Sequence, residues 1–261
     1  MFSHRNDPAA DRVGVAFTDR EDGYSSGPLG SLNLGRTDVD DLSALRANLA
    51  AVRATLGVRQ VVSVRQVHGT DVLEVDERLL ASWTEDSWLG ASVPGAPPAL
   101  VADAMVTRLR GVALAIRVAD CLPVLFADPA AGVVAAAHAG RVGLAAGVLP
   151  ATLARMAGLG AREITAWIGP HVCAACYEVP ASMRDEVAAV LPGARATTGW
   201  GTPSLDLGQA AAVQLETAGC RVVRVDPCTR ETATLHSHRR DGAAAGRQAG
   251  IVWLPAVKTS P

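Results

Sequence analysis

The sequence predicts one mixed α and β domain, and three observations carry that prediction. The chain has 261 residues, of which 49% are hydrophobic and 19% charged, enough apolar material for a sizeable core. Residues 40–57 repeat apolar side chains at helical spacing. Between 103 and 140 four short apolar runs follow one another, separated only by tight turn signals.

In chain order, Leu42, Leu45, Leu49, Val52 and Leu56 fall at steps of three and four, so one face of a helix is apolar. Asp40 or Asp41 caps its start and Gly57 its end. The segments 61–69 and 70–76 read as strands, and 81–99, with Trp83, Trp88, Pro94, Pro97 and Pro98, as a surface loop. Strands follow at 103–108, 111–119, 123–128 and 132–140, the last after a "DPAAG" turn. Residues 143–157 read as a helix kinked or broken at Pro150. A strand at 163–169 and a short helix at 182–190 come next. The helix at 206–219 opens on a capping box, Asp206 with Gln209 three residues on. Strands at 221–226 and 250–254 close the chain. No internal repeat or linker divides residues 1–261.

Composition narrows the function classes. A net charge of −2 argues against nucleic acid or an anionic membrane as partner, since both call for a basic surface. No apolar run of about 18 residues suggests a membrane span, and "MFSHRNDPAADR" lacks the apolar stretch of a signal peptide. The cysteines at 121, 173, 176, 220 and 228 are odd in number and are not spaced as a secreted disulfide framework, so a reducing cytoplasm fits best. Only Lys258 among the basic residues is a lysine.

Three chemically active residues each end a strand-like run: His68 in "RQVHG", Cys121 in "ADCLP" and His138 in "AHAG". A thiolate and two imidazoles can fill three corners of a zinc tetrahedron and leave the fourth for water or substrate. Ligands this far apart suit a catalytic metal at a sheet edge; a structural finger uses tight pairs. Spacing alone leaves the plain alternative open, a buried thiol and two ordinary histidines.

The words around these residues add a second line of argument. "SLNLG" (31–35), "RQVHGTDV", "ADAMVT", "ADCLPVLFAD", "AAAHAG", "GLAAGVL", "IGPHVCAACYEV", "CTRE" and "SHRRDGAAAGRQAGIVWL" occur in this order over most of the chain. The set resembles the YfiH/YlmD family of laccase-domain proteins, also called purine nucleoside phosphorylases or peptidoglycan editing factors. The resemblance implies an α+β fold of YfiH-like type, two mixed β-sheets packed in layers with helices outside (α/β/β/α). It also implies that His68, Cys121 and His138 bind Zn2+ and serve catalysis, with Ala139 and Gly140 leaving room for a substrate. The implied reaction is phosphorolysis of adenosine, inosine or guanosine to base and ribose 1-phosphate. Adenosine deamination and methylthioadenosine cleavage are implied as companions. Two other classes stay open. One is a cytoplasmic amide hydrolase that edits peptidoglycan precursors, with Cys121 as nucleophile and His138 as base; the other is a non-catalytic metal-binding protein. Copper oxidase chemistry is disfavoured, because the chain has only six histidines to share among several coppers.

Two stretches depart from the family pattern. "HAGRVG" places Arg141 and Val142 where the family commonly has Trp-Arg, and "LHSHRRDG" places His236 and His238 where aromatics are usual. Substrate contacts are expected from Asn33, Gln66, Arg239 and Arg240. The two arginines could grip phosphate, and Gln66 would share a strand face with His68 while Arg65 points away. Asp103 and Asp120 read as strand-end caps, with partnership to a ligand histidine as the alternative. Cys173 and Cys176 form a single CxxC, which without a second pair carries little. The H-x-E of zinc nucleobase deaminases is absent. The expected partners are purine nucleosides and phosphate, on a monomer or homodimer.

Overall fold

Alternation along the central strands decides the architecture. In the computed structural model, which describes residues 1–6, 12–35, 38–89, 99–225 and 227–256, these strands are apolar on both faces. The strands are β1 (Phe2–Asn6), β2 (Gly14–Thr18), β3 (Gln60–Val62), β4 (Val72–Glu74), β5 (Ala104–Thr107), β6 (Val112–Val118) and β7 (Leu122–Asp128). After them come β8 (Val133–Ala139), β9 (Thr165–Ile168), β10 (Arg195–Thr197), β11 (Pro203–Leu205), β12 (Arg221–Arg224) and β13 (Gln248–Trp253). The α-helices are α1 (Leu42–Leu56), α2 (Glu77–Ser82), α3 (Arg141–Ala146), α4 (Val148–Gly158), α5 (Ala181–Val190), α6 (Leu207–Thr217) and α7 (His238–Asp241).

Two mixed sheets form, in the order β1-β2-β13-β6-β3 and β12-β9-β7-β8-β5-β4, with a separate β10–β11 hairpin. Along β6, Leu114 and Ile116 point into a core shared with Leu125, Val134 and Trp167 of the second sheet. Ala113 and Ala115, one step out of phase, face Leu45, Leu49, Val52 and Leu56 of α1. Along β7, Leu125 and Ala127 join the shared core, whereas Val124 and Phe126 meet Leu149 and Met156 of α4 and Leu215 of α6. Each strand therefore buries both faces, which is why these runs are continuously apolar. The three cores separate four layers, α/β/β/α, as the resemblance implies.

α1 starts where Asp41 accepts the N–H groups of Ser43 and Ala44, and it ends at Gly57 in the left-handed region. The expected break at Pro150 lies instead at Gly147, φ 98°, between α3 and α4. Pro150 falls in the first turn of α4, where its missing N–H has no helical partner to lose. In α6, Asp206 caps as expected by accepting Gln209 N–H, but the Gln209 side chain turns away to the Arg224 guanidinium. The expected surface loop at 81–99 holds the end of α2 and one 3₁₀ turn, Glu85–Trp88, with Trp88 buried against the outer face of the first sheet. Pro94, Pro97, Pro98 and Asp226 lie outside the described residues. β1, β2 and the β10–β11 hairpin add to the predicted elements. No helix among the described residues is long and apolar enough to cross a membrane.

Candidate active site

The site forms where the chain crosses from one sheet to the other. β6 ends at Val118, β7 begins at Leu122, and Asp120 and Cys121 make the crossing. Leu122 pairs with Ala139 and Pro123 with His138, so the antiparallel ladder brings Cys121 to the end of β8. His68 arrives from the first sheet. The expected strand 61–69 stops at Val62, and the chain continues as a loop held by one isolated bridge, Arg65 to Val101, and beyond it by side chains.

Two side chains hold that loop. The Gln66 amide donates to the Arg117 carbonyl at 2.9 Å and accepts the Arg117 N–H at 2.9 Å. The fully buried Asp103 carboxylate accepts the N–H groups of Val67 (3.1 Å), His68 (2.9 Å) and Gly69 (2.6 Å). The same carboxylate bonds His138 Nδ1 at 2.8 Å, which leaves Nε2 as the ring nitrogen free to act as a ligand. Asp103 is thus no mere strand cap. It locks the His68 loop and the His138 ring to one charge, and burial, which alone would raise its pKa, loses to these bonds.

His68 Nε2 lies 3.8 Å from Cys121 Sγ, and the two imidazoles meet edge to face at 4.7 Å. One ligand atom from each of His68, Cys121 and His138 lies within 4.8 Å of the others. His68 adopts φ 62°, uncommon for a side chain with a Cβ and held here by the Asp103 bonds. Gly140 makes the convergence possible. A Cβ there would sit 2.5 Å from His68 Cδ2 and 3.1 Å from Cys121 Sγ. The space beside Ala139 and Gly140, expected to admit substrate, is therefore occupied by the His68 ring.

Burial opposes charge on both members of the Cys121–His138 pair. Hydrogen bonds from His138 and His68 nevertheless bring the Cys121 thiol down to about 6. Asp103 and Cys121 lift His138 to about 9. The donor set is therefore a ready thiolate with two imidazoles, one of them oriented by a carboxylate. Such a set could hold a metal ion.

A cavity of about 570 Å³ opens beside these residues. Arg65, Arg117, Arg141, Arg239 and Arg247 reach it from five separate segments, against Asp38 and Asp120. The Arg239 guanidinium lies over the Tyr177 ring, 4.6 Å from its centroid, and donates to the Glu178 carbonyl at 2.9 Å. Arg141 starts α3 and acts on the Tyr177 hydroxyl from the same wall. Burial and the neighbouring Arg247 depress Arg117 to about 10, still charged at neutral pH. Asp120 holds φ 90° and is pinned by the Thr229 hydroxyl and the Arg239 N–H, both at 2.6 Å.

A family model described as multi-copper polyphenol oxidoreductase laccase matches residues 14–255. The chain belongs to this laccase-domain family. It is 50% identical over 243 residues to a protein of Streptomyces coelicolor named purine nucleoside phosphorylase, with 91% of this chain and 94% of that protein covered. The crystal structure of a Neisseria meningitidis protein superposes with a TM-score of 0.78 at 34% identity, over 98% of this chain and 99% of that one. Bacillus licheniformis YfiH gives 0.80 at 29% identity, over 94% and 93%.

Within this laccase-domain chain the expected contact residues divide. Arg239 and Gln66 line the cavity, though Gln66 spends its amide on the Arg117 backbone. Arg65 lines it too, because the loop does not alternate as a strand would. Arg240 turns away: its guanidinium donates to the carbonyls of Thr229, Arg230, Thr232 and Leu235 and pairs with Asp241. It shapes the loop and does not face the cavity. Asn33 is fully buried, its amide donating to Gly35 O and Asp40 and accepting the N–H groups of Gly35 and Arg247. All its hydrogen-bonding capacity is used, so no face remains for a sugar. Val142 is 49% exposed and takes no part in the wall. Tyr177, Arg117 and Arg247 were not expected at the site. An arginine inside the otherwise apolar run "GVALAIRVA" was the available signal for Arg117.

His238 lines the cavity, whereas His236 is buried and donates through Nε2 to the Leu32 carbonyl at 3.0 Å. Burial, with Arg20 and Arg247 nearby, pulls His236 down to about 4, against an ordinary value of 6.5. The unfolded chain thus binds a proton here that the folded chain refuses. Stability from this group is complete above pH 6.5 and is lost as pH falls through 4, by about 3 kcal/mol at most. Thermal melts between pH 7 and pH 4 should show a shallower acid decline in His236→Asn than in the parent. Identical slopes would remove His236 as the source.

Proposed function

We propose that this chain is a zinc-dependent purine nucleoside phosphorylase acting in a reducing cytoplasm. The observation that carries the reading is one cavity with the His68–Cys121–His138 triad on one wall and arginines from five segments on the others. A zinc ion held by these three residues would supply a Lewis acid with an open position beside the bound substrate. Arg239, over the Tyr177 ring, and Arg141 at the start of α3 would grip phosphate. A phosphate oxygen attacks C1′ of the nucleoside, the C1′–N9 bond breaks, and the base leaves with the bonding pair and takes up a proton. Tyr177 keeps its own proton, since burial and Cys121 raise its pKa. The five arginines offset the charge that phosphate brings into the cavity. The same pocket is proposed to accept methylthioadenosine, and to deaminate adenosine by attack of water on C6 of the base, the exocyclic amine leaving as ammonia.

One arrangement favours a second reading. Cys121, His138 and Asp103 line up as nucleophile, base and orienting carboxylate, the order an amide hydrolase would use. A nucleophile has no need of His68 at 3.8 Å, while a metal does. Incubation with inosine decides: cleavage should require inorganic phosphate and yield ribose 1-phosphate. Equal rates without phosphate, giving free ribose, would make the protein a hydrolase. No cleavage by the zinc-loaded chain would leave the amide hydrolase and the binding protein.

A further inference from the structure

A second group of metal-binding side chains lies next to Tyr177. Cys173, Cys176, Cys228 and Glu231 each offer one ligand atom, all within 4.8 Å of one another. The sequence shows only the CxxC; the fold supplies the rest. Cys176 and Tyr177 both donate their N–H to the Cys173 carbonyl, a tight turn that turns two thiols to the same side. An isolated parallel bridge between His171 and Cys228, followed by Thr229 N–H to His171 O, lays the third cysteine alongside. Thr232 N–H bonds Cys228 O and closes the turn that carries Glu231.

Three features distinguish this cluster from chance crowding. The thiols of Cys173, Cys176 and Cys228 are all free. The Cys173 N–H donates to Cys228 Sγ at 3.5 Å, which holds that sulfur against the CxxC turn. The local core is poor: Val172 with Cys176 and Cys228 is all that is fully buried in it, with Cys173 and Tyr177 at its edge. A corner with so little apolar packing gains most from a cross-link. Zinc–sulfur bonds of about 2.3 Å in a tetrahedron put neighbouring sulfurs about 3.8 Å apart, within the spacing found here. Arg230, which reaches Cys176 and stacks on Trp200 at 5.0 Å, offsets the excess negative charge.

We propose that Cys173, Cys176 and Cys228, with Glu231 as fourth ligand, bind a zinc ion that is structural and separate from the His68–Cys121–His138 centre. Binding releases the thiol protons to solvent and changes no oxidation state. The ion staples two loops that build the cavity wall. One carries Val172 and Tyr177; the other carries Thr229, whose hydroxyl bonds Asp120.

Zinc content of the full-length chain, purified reduced and without chelator, tests this. A Cys121→Ala/His138→Ala chain, its first centre dismantled, is expected to retain about one zinc. Adding Cys176→Ser and Cys228→Ser is expected to remove it. Should that fourfold variant not fold, cobalt(II) titration of the Cys121→Ala/His138→Ala chain carries the test alone. One equivalent should bind, with the near-ultraviolet sulfur-to-cobalt absorption of three thiolates. No zinc and no cobalt uptake in that chain overturns the proposal. So does a mass two hydrogens short, locating a disulfide among the three cysteines of the purified protein.

Discussion

His138→Ala is expected to abolish cleavage of inosine and to lower bound zinc, whereas Arg141→Ala is expected to keep its zinc and lose only about fivefold in phosphate affinity. The contrast follows from where the two residues sit. His138 is buried at the end of β8 with its ring fixed by Asp103, so its loss removes a ligand that no neighbour can replace. Arg141 is one of five arginines at the cavity, partly solvated and acting on Tyr177. A partly solvated charge contact is worth roughly 1 kcal/mol or less, which is the fivefold effect. Steady-state kinetics with inosine and phosphate varied in turn, beside zinc content, measure both. An Arg141→Ala chain as inactive as His138→Ala, yet fully zinc-loaded, would put Arg141 among the groups that touch the reacting atoms.

Asp103→Asn is expected to weaken zinc binding by about 10- to 100-fold, the usual cost of losing the partner of a ligand histidine. It should also lower the melting temperature by several degrees. One oxygen of the amide can still accept, but its NH₂ now faces donors, either the N–H groups of Val67 and Gly69 or those of His68 and His138 Nδ1. Hydrogen bonds to a buried charge contribute about 1.5–3 kcal/mol, and about 2–4 °C accompanies each kcal/mol in a chain of this size. Competition titration against a zinc chelator and a thermal melt read the two effects. Parent-like zinc affinity would show that His138 is oriented without Asp103.

The legible parts of this molecule are those whose cause is local. α1 repeats its apolar face within fifteen residues and carries its own caps, so spacing alone locates it. The three metal-ligand candidates stood out as chemistry in otherwise apolar surroundings, and the ordered motifs supplied the layering. What escaped depends on distant partners. "VVSVRQVHG" has the composition of a strand, but its second half is held by Asp103 and Arg117, 34 to 51 residues away in sequence. Tyr177, Arg117 and Arg247 converge only because the loop between β9 and α5, the end of β6 and the segment before β13 share one end of the sheets. Arg239 and Arg240 are adjacent in sequence, yet one faces the cavity and the other folds back on four carbonyls. Pro150 was read as a helix break because its place in the turn depends on Gly147 ending the preceding helix first.

Gln66 does more than steady a loop. Its amide presents one N–H and one C=O to Arg117 at 2.9 Å each, the pair that a peptide unit of an adjoining strand would offer. β6 runs past the end of its short partner β3, so this stretch would otherwise expose an unpaired rim. An extended polypeptide seeking to add itself as a strand finds that rung already filled by a side chain. The mouth of the cavity is thereby closed to recognition by strand addition at Arg117 and stays open to compact solutes, whose contacts are with side chains.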